Sequence, residues 1–190
     1  MTAQHNIRLA TADDASAIQA IYAPYVEGTA ITFELEAPSV AEMARRITTT
    51  LENYPWLVIE TDEGIVGYAY AGAFRPRAAY KRSVELSIYI AQDKRGGGLG
   101  RALYAQLEEI LRKQGIQNMY ACITSTARPD DPYLSPGSVH FHEKLGFAYV
   151  GTFRNCGFKF GNWYSMLWMG KDIGEHEADP APFVPFSQLA

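Results

Sequence analysis

The junction between residues 83 and 111 constrains the fold more than any other part of the chain. From Ser83 to Ile90 apolar and polar residues alternate. A run Arg95-Gly96-Gly97-Gly98-Leu99-Gly100 follows, and leucines then recur at every fourth position as Leu99, Leu103, Leu107 and Leu111. Alternation of this kind makes a strand with Val84, Leu86, Ile88 and Ile90 on one face and Ser83, Glu85, Ser87 and Tyr89 on the other, so Glu85 falls on the polar face. The leucine spacing makes an amphipathic helix that ends near Gly115. Glycines between the two let the backbone approach a diphosphate closely, and the amides and dipole at a helix N-terminus favour an anion there. A flexible strand-to-helix turn is the plain alternative.

Two nucleotide motifs fail at this loop. A P-loop needs Lys and Ser/Thr after its last glycine, and the corresponding residues are Arg101 and Ala102. A dinucleotide site needs Gly-x-Gly-x-x-Gly and an acidic residue ending the next strand, and Met119 to Thr124 offers none. The chain's 190 residues suit one compact domain, and no apolar run approaches the ~20 residues of a membrane span. Residues 1–12 lack the apolar core of a secretory signal, which points to the cytoplasm. Cys122 and Cys156 read as reduced packing residues. A net charge of -4 with scattered cations argues against nucleic acid and for a small-molecule acceptor.

Elsewhere the patterns predict a strand over Asn6 to Ala10. Thr11 or Asp13 caps a helix carrying Ile18, Ile21, Tyr22 and Tyr25, which Pro24 bends or ends. Ser39 and Glu42 fit a capping box for a second helix running to about Asn53. A hairpin is expected over Trp56 to Ala73, turning at Asp62-Glu63-Gly64, before a cationic and aromatic loop from Phe74 to Arg82. Met119 to Thr124 is a strand, Ala127 to Gly137 a loop, Ser138 to Leu145 a short helix and Phe147 to Thr152 a strand. Gly157 to Gly170 forms a last hairpin turning at Gly161-Asn162. The division is a domain over 1–174 and an irregular, proline-containing tail over 175–190.

The glycine run matches the Gln/Arg-x-x-Gly-x-Gly signature of the GCN5-related N-acetyltransferases (GNAT), in the strand-to-helix position that family uses. More narrowly, the chain resembles the phosphinothricin N-acetyltransferase group over nearly its whole length. The resemblance is carried by Tyr54-Pro55-Trp56-Leu57-Val58, Tyr68-Ala69-Tyr70-Ala71-Gly72, Val84-Glu85, His142-Glu143-Lys144-Leu145-Gly146-Phe147 and Gly157-Phe158-Lys159, among other segments. It implies an α/β (α+β) GNAT fold: a mixed, twisted sheet of about seven strands flanked by about four helices, with Ser83 to Ile90 and Met119 to Thr124 splayed apart. Acetyl-CoA is the implied donor, held by Ile88, Tyr89 and Ile90 along its arm and by Arg95, Gly96, Gly97, Gly98, Leu99, Gly100 and Arg101 at its pyrophosphate. Ser135 and Ser138 are the further implied contacts, and no metal is implied. Family members often carry Lys or Arg where this chain has Gly97, and commonly Asn where it has Ser135.

Acetyl transfer to an amine needs a base for the nitrogen, donors for the carbonyl and a proton for the departing thiolate. The resemblance assigns the base to Glu85. His142 stands where many members place a proton-donating tyrosine, and is preferred over His140. For the acceptor it points to Arg75, Arg77 and Tyr80 in the cationic loop, with Phe33 and Lys159 beside them. Guanidinium groups there suit a carboxylate or phosphinate. Arg154 could add to the same field, and Phe158 and Trp163 could wall the site. The implied activity is acetylation of the α-amino group of a compound such as phosphinothricin, methionine sulfoximine or methionine sulfone, by direct transfer in a ternary complex. A homodimer is also implied. A protein acceptor and a non-catalytic acyl-CoA sensor are the rival readings.

Overall fold

The structure is a computed structural model that describes residues 5–189. Residues 1–4 and 190, at the outer ends of the expected divisions, lie outside it. The described elements are β1 (Asn6–Leu9), α1 (Ala15–Gly28), α2 (Val40–Leu51), β2 (Trp56–Thr61), β3 (Gly64–Ala73), β4 (Ser83–Ile90), α3 (Leu99–Lys113), β5 (Asn118–Ser125), α4 (Gly137–Lys144), β6 (Ala148–Lys159) and β7 (Asn162–Asp172). Seven strands form one mixed sheet in the order β1-β2-β3-β4-β5-β7-β6, with β4 and β5 its parallel pair and every other pairing antiparallel. This is the α/β architecture expected from the sequence.

Each sheet face buries a different core. Leu103, Leu107 and Leu111 of α3 pack on Val84, Leu86, Met119 and Ala121, with Phe141 of α4 and Leu145 just after it alongside. On the opposite face, Ile18, Ile21 and Tyr22 of α1 and Met43 and Ile47 of α2 cover Trp56, Val58 and Tyr68. The face of β4 that reads as polar in the sequence is therefore covered too, and Tyr89 packs against Tyr22 and Tyr25 at ring separations of 4.8 and 5.0 Å. Apolar burial on both faces is what holds the sheet between two helical layers.

Several local expectations are corrected. Pro24 does not end α1, which continues to Gly28, because burial of Tyr25 and Val26 outweighs the one backbone bond that proline removes. Ser39 caps α2 by accepting from the Glu42 amide at 3.1 Å, but the Glu42 carboxylate turns to Arg45 and Arg46 and leaves the capping box half made. The strand expected to stop at Thr152 runs on to Lys159 through a bulge between Phe153 and Gly157, with Asn155 at φ 47°. The tail is irregular yet docked: the fully buried Gln114 donates to Asn53 O at 2.7 Å and Val184 O at 2.9 Å, and Phe186 N reaches Asn53 O at 3.0 Å.

β4 and β5 pair only from Ser83–Leu86 against Asn118–Ala121. Beyond these residues the two strands diverge, and the site is built in the gap.

Candidate active site

On the glycine-loop side, Gly96 and Gly98 adopt φ of 91° and 82°, a left-handed backbone that a side chain would strain. Gly97 lies between them without that constraint and faces open space. At Gly100 the requirement is proximity, since a Cβ would come within 3.1 Å of the Phe141 ring and 3.4 Å of Ile88. The first bond within α3 runs from Ala102 N to Gly98 O at 3.1 Å, so the amides of Leu99, Gly100 and Arg101 precede it and have no intrahelical acceptor. These groups border a cleft of about 490 Å³ that Ile88, Ile90, Arg95, Arg101, Ser135 and Ser138 also line, with Lys94 and Lys144 at its margin. Left-handed glycines, unspent amides and lysine and arginine side chains fit a diphosphate.

Tyr25, which the sequence placed only on the apolar side of the first helix, also lines this cleft. Its hydroxyl donates to Ile90 O and accepts from Arg95 Nε at 3.2 Å, while the Arg95 guanidinium lies 5.0 Å from its ring centroid. Tyr25 thus orients a loop cation, an effect with no local signature in α1.

Where β4 and β5 part, a second cavity of about 230 Å³ opens and shares Ile31, Ile88, Ser135 and Ser138 with the cleft. Glu85 enters it from one sheet face. Its side chain is 37% exposed, burial pushes its pKa above the ordinary carboxylate value, and Arg75, 3.9 Å away, opposes that rise. Arg75 is itself held over Phe74 at 4.4 Å and Trp168 at 5.2 Å.

Tyr104 of α3 and His142 of α4 reach the same cavity from the other face. His142 is 3% exposed, with Nδ1 2.8 Å from Ser138 O and Nε2 3.1 Å from the Tyr104 hydroxyl. A carbonyl can only accept, so Nδ1 carries the proton and Nε2 accepts from Tyr104. Burial lowers the His142 pKa and raises that of Tyr104, which keeps the pair neutral at neutral pH. Sequence singled out His142. Its partner, 38 residues earlier, entered only as part of the resembling segment Leu103-Tyr104, with no role assigned.

The expected acceptor residues divide. Phe33 lines the cavity and Arg75 stands beside its carboxylate. Arg77 and Tyr80 are exposed in and beside a 3-10 turn and line neither cavity. Lys159 is buried, and its ammonium is spent on two backbone carbonyls. Phe158 and Trp163 pack against each other at a tilt, 5.2 Å between ring centroids, on the exposed β6–β7 hairpin, outside the cavity. Cys122 lines the cavity with its thiol pushed up to about 12 by burial, whereas Cys156 is exposed rather than packed.

The loop from Ala127 to Gly137 closes one side. Asp131, with a side chain 1% exposed, accepts from Arg128, from Tyr164 OH at 3.2 Å and from Tyr133 N at 2.8 Å. Tyr133 stacks on Phe160 at 4.2 Å, and its carbonyl accepts from Ala30 N at 2.9 Å. The loop is therefore a fixed wall that ties β5 to the segment after α1.

A sheet parted between two parallel strands, with an anion cradle at one end of the gap and titratable side chains at the other, defines an acyltransferase of the CoA-thioester class. The family model described as "Acetyltransferase (GNAT) domain" matches residues 7–168. The chain is 34% identical to a phosphinothricin N-acetyltransferase of Streptomyces viridochromogenes, over 96% of this chain and 95% of the relative. It is 33% identical to an L-methionine sulfoximine/L-methionine sulfone acetyltransferase of Pseudomonas aeruginosa, over 92% and 98%. A solved GNAT superfamily phosphinothricin acetyltransferase from Sinorhizobium meliloti, in complex with AcCoA, superposes with a TM-score of 0.84 at 38% identity, covering 95% of this chain and 94% of that one. The chain belongs to the GNAT acetyltransferase family and is an N-acetyltransferase.

Proposed function

We propose that the protein transfers an acetyl group from acetyl-CoA to the α-amino group of a small amino-acid analogue of the phosphinothricin, methionine sulfoximine or methionine sulfone type, directly and within a ternary complex. The observation that carries this reading is that Glu85 and the Tyr104–His142 pair face one cavity from opposite sides of the parted sheet. An acceptor entering beside Glu85 would meet a thioester arriving along Ile88 and Ile90 from the glycine loop.

In the proposed chemistry Glu85 takes a proton from the acceptor ammonium, whose pKa near ~10 leaves it mostly protonated at neutral pH. The neutral nitrogen attacks the thioester carbonyl, the carbon–sulfur bond breaks, and the departing thiolate takes up the second proton that the nitrogen sheds as the amide forms. The Tyr104 hydroxyl and His142, the expected proton donor, border the cavity in which that thiolate forms. Arg75 offers a bidentate partner for an acceptor carboxylate or phosphinate. Because the residues differ for the two substrates, nothing requires the acetyl group to rest on the enzyme.

A volume of about 230 Å³ closed by the Asp131 loop favours a small acceptor over a peptide, being below the ~300–1,000 Å³ of drug-sized sites. We extend the reading to a cytoplasmic homodimer. Tyr149, Val150, Phe153, Phe158 and Trp163 are all at least half exposed on the edge hairpin and give a second copy an apolar face to cover. Sedimentation at micromolar concentration should give the dimer mass, and a monomer would reject that part.

The deciding experiment is thiol release from acetyl-CoA across a panel of amino-acid analogues and lysine peptides, with both substrate concentrations varied. Intersecting double-reciprocal lines with a small analogue support the reading. Parallel lines would mean an acetyl-enzyme, and tight CoA binding without turnover would favour a sensor.

A further inference from the structure

The ammonium of Lys159 is a buried cation on the acceptor side, and it touches neither cavity. Its Nζ donates to Val26 O in the last turn of α1 at 2.7 Å and to Thr32 O at 2.9 Å, and sits 5.1 Å from the Phe160 ring centroid. No carboxylate lies within ion-pair distance of it among the described residues. The carbonyls take the place of a counter-ion, with the negative end of the α1 dipole contributing at Val26.

The Thr32 carbonyl belongs to the segment that forms one cavity wall, Ile31 to Phe33, and the Val26 carbonyl lies on the helix that leads into it. Two residues before Lys159, the Phe33 ring lies flat against Gly157, where a Cβ would fall 2.3 Å from a ring carbon. Thr32 in turn bonds Tyr22 OH through its hydroxyl at 2.8 Å. The end of β6 thus holds the segment by its backbone through Lys159 and by its aromatic ring through Gly157.

We propose that Lys159 and Gly157 are positioning residues for the acceptor: they set the place of the Ile31–Phe33 wall and so determine acceptor affinity without touching the acceptor. The inference rests on the acceptor assignment above. An apolar residue at 159 would take the Lys159 donor from both carbonyls, and the wall segment that carries Thr32 would move to solvate its own. Glutamine keeps two donors on one nitrogen and should restore much of the hold.

The test compares Lys159→Met, Lys159→Gln and Gly157→Ala with the wild-type protein. Lys159→Met should raise acceptor KM by about tenfold or more while leaving kcat within about threefold and the acetyl-CoA dissociation constant within about twofold, with Lys159→Gln recovering most of the loss. Gly157→Ala should raise acceptor KM with Lys159 intact, and it decides the matter if Lys159→Met does not fold. Unchanged acceptor KM in the folded variants would overturn the proposal, as would a parallel loss of acetyl-CoA binding. Hydrogen exchange supplies a readout independent of turnover: amides of Ile31 to Glu34 should exchange faster in Lys159→Met than in wild type. Should the wild-type protein acetylate no amine, the acceptor assignment fails, and unchanged exchange would then reject the positioning role separately.

Discussion

The donor end and the acceptor end of the parted sheet are built in opposite ways. The donor end has its anion cradle in one continuous stretch, Ile88 to Arg101, in which left-handed glycines and the first amides of α3 follow one another along the chain, with Tyr25 and α4 completing the cleft. The acceptor end draws on the segment after α1, on β4, α3, β5, α4 and the Asp131 loop, joined by contacts such as Tyr104 with His142 and Ala30 with Tyr133. A site made of backbone amides binds a common anion, whereas a site made of side chains from separate segments can be retuned for a different acceptor one residue at a time. Substitutions should therefore separate the two ends cleanly.

The largest expected effect is at Glu85. Glu85→Gln should lower kcat by ~10²–10⁴-fold, the usual worth of a positioned base, with acetyl-CoA affinity measured by calorimetry unchanged. Joint loss of both would mean that the two ends are not separable. Next is Arg75→Met, which should raise acceptor KM by ~10–100-fold, the worth of a charge-assisted bond. Arg75 holds the Glu85 pKa down, so its removal should also move the acid limb of activity to higher pH.

Smaller effects are expected at His142. Its folded pKa lies below the ordinary 6.5 because it is buried, so between the two values the unfolded chain binds more protons and stability rises with pH. Urea midpoints should fall as pH drops below 6.5, and His142→Gln should flatten that fall. An unchanged slope would place the acid sensitivity elsewhere. The smallest effect belongs to the donor end alone. Gly97 needs no left-handed backbone and faces open space, so Gly97→Arg should tighten acetyl-CoA binding by roughly two- to fivefold, as a cation near an anion at a helix start does, and leave acceptor KM unaltered.

The same contrast explains what could be read from the sequence. Glycine placement, a leucine every fourth residue and strict alternation are local signals, and they located β4, the loop and α3 nearly to the residue. Alternation assigned Glu85 only its face, and the roles given to Glu85 and His142 came from the resemblance. Tyr104 was given none, since its value lies in a hydrogen bond across 38 residues. Lys159 read as an acceptor-binding cation because the segments that bury it, at Val26 and Thr32, precede it by 133 and 127 residues. Arg77 shares its composition with Arg75, and only the packing of Phe74 and Trp168 distinguishes the one that turns toward Glu85.

The most direct test of the acceptor-side chemistry is the pH dependence of kcat/KM for a methionine sulfone-type acceptor, compared between the wild-type enzyme and Glu85→Gln. With Glu85 as the base, the wild-type profile should level off above the raised carboxylate pKa, while the variant continues to climb with unit slope toward the amine pKa near ~10. Superimposable profiles would contradict the assignment of Glu85 and with it the division of labour across the sheet.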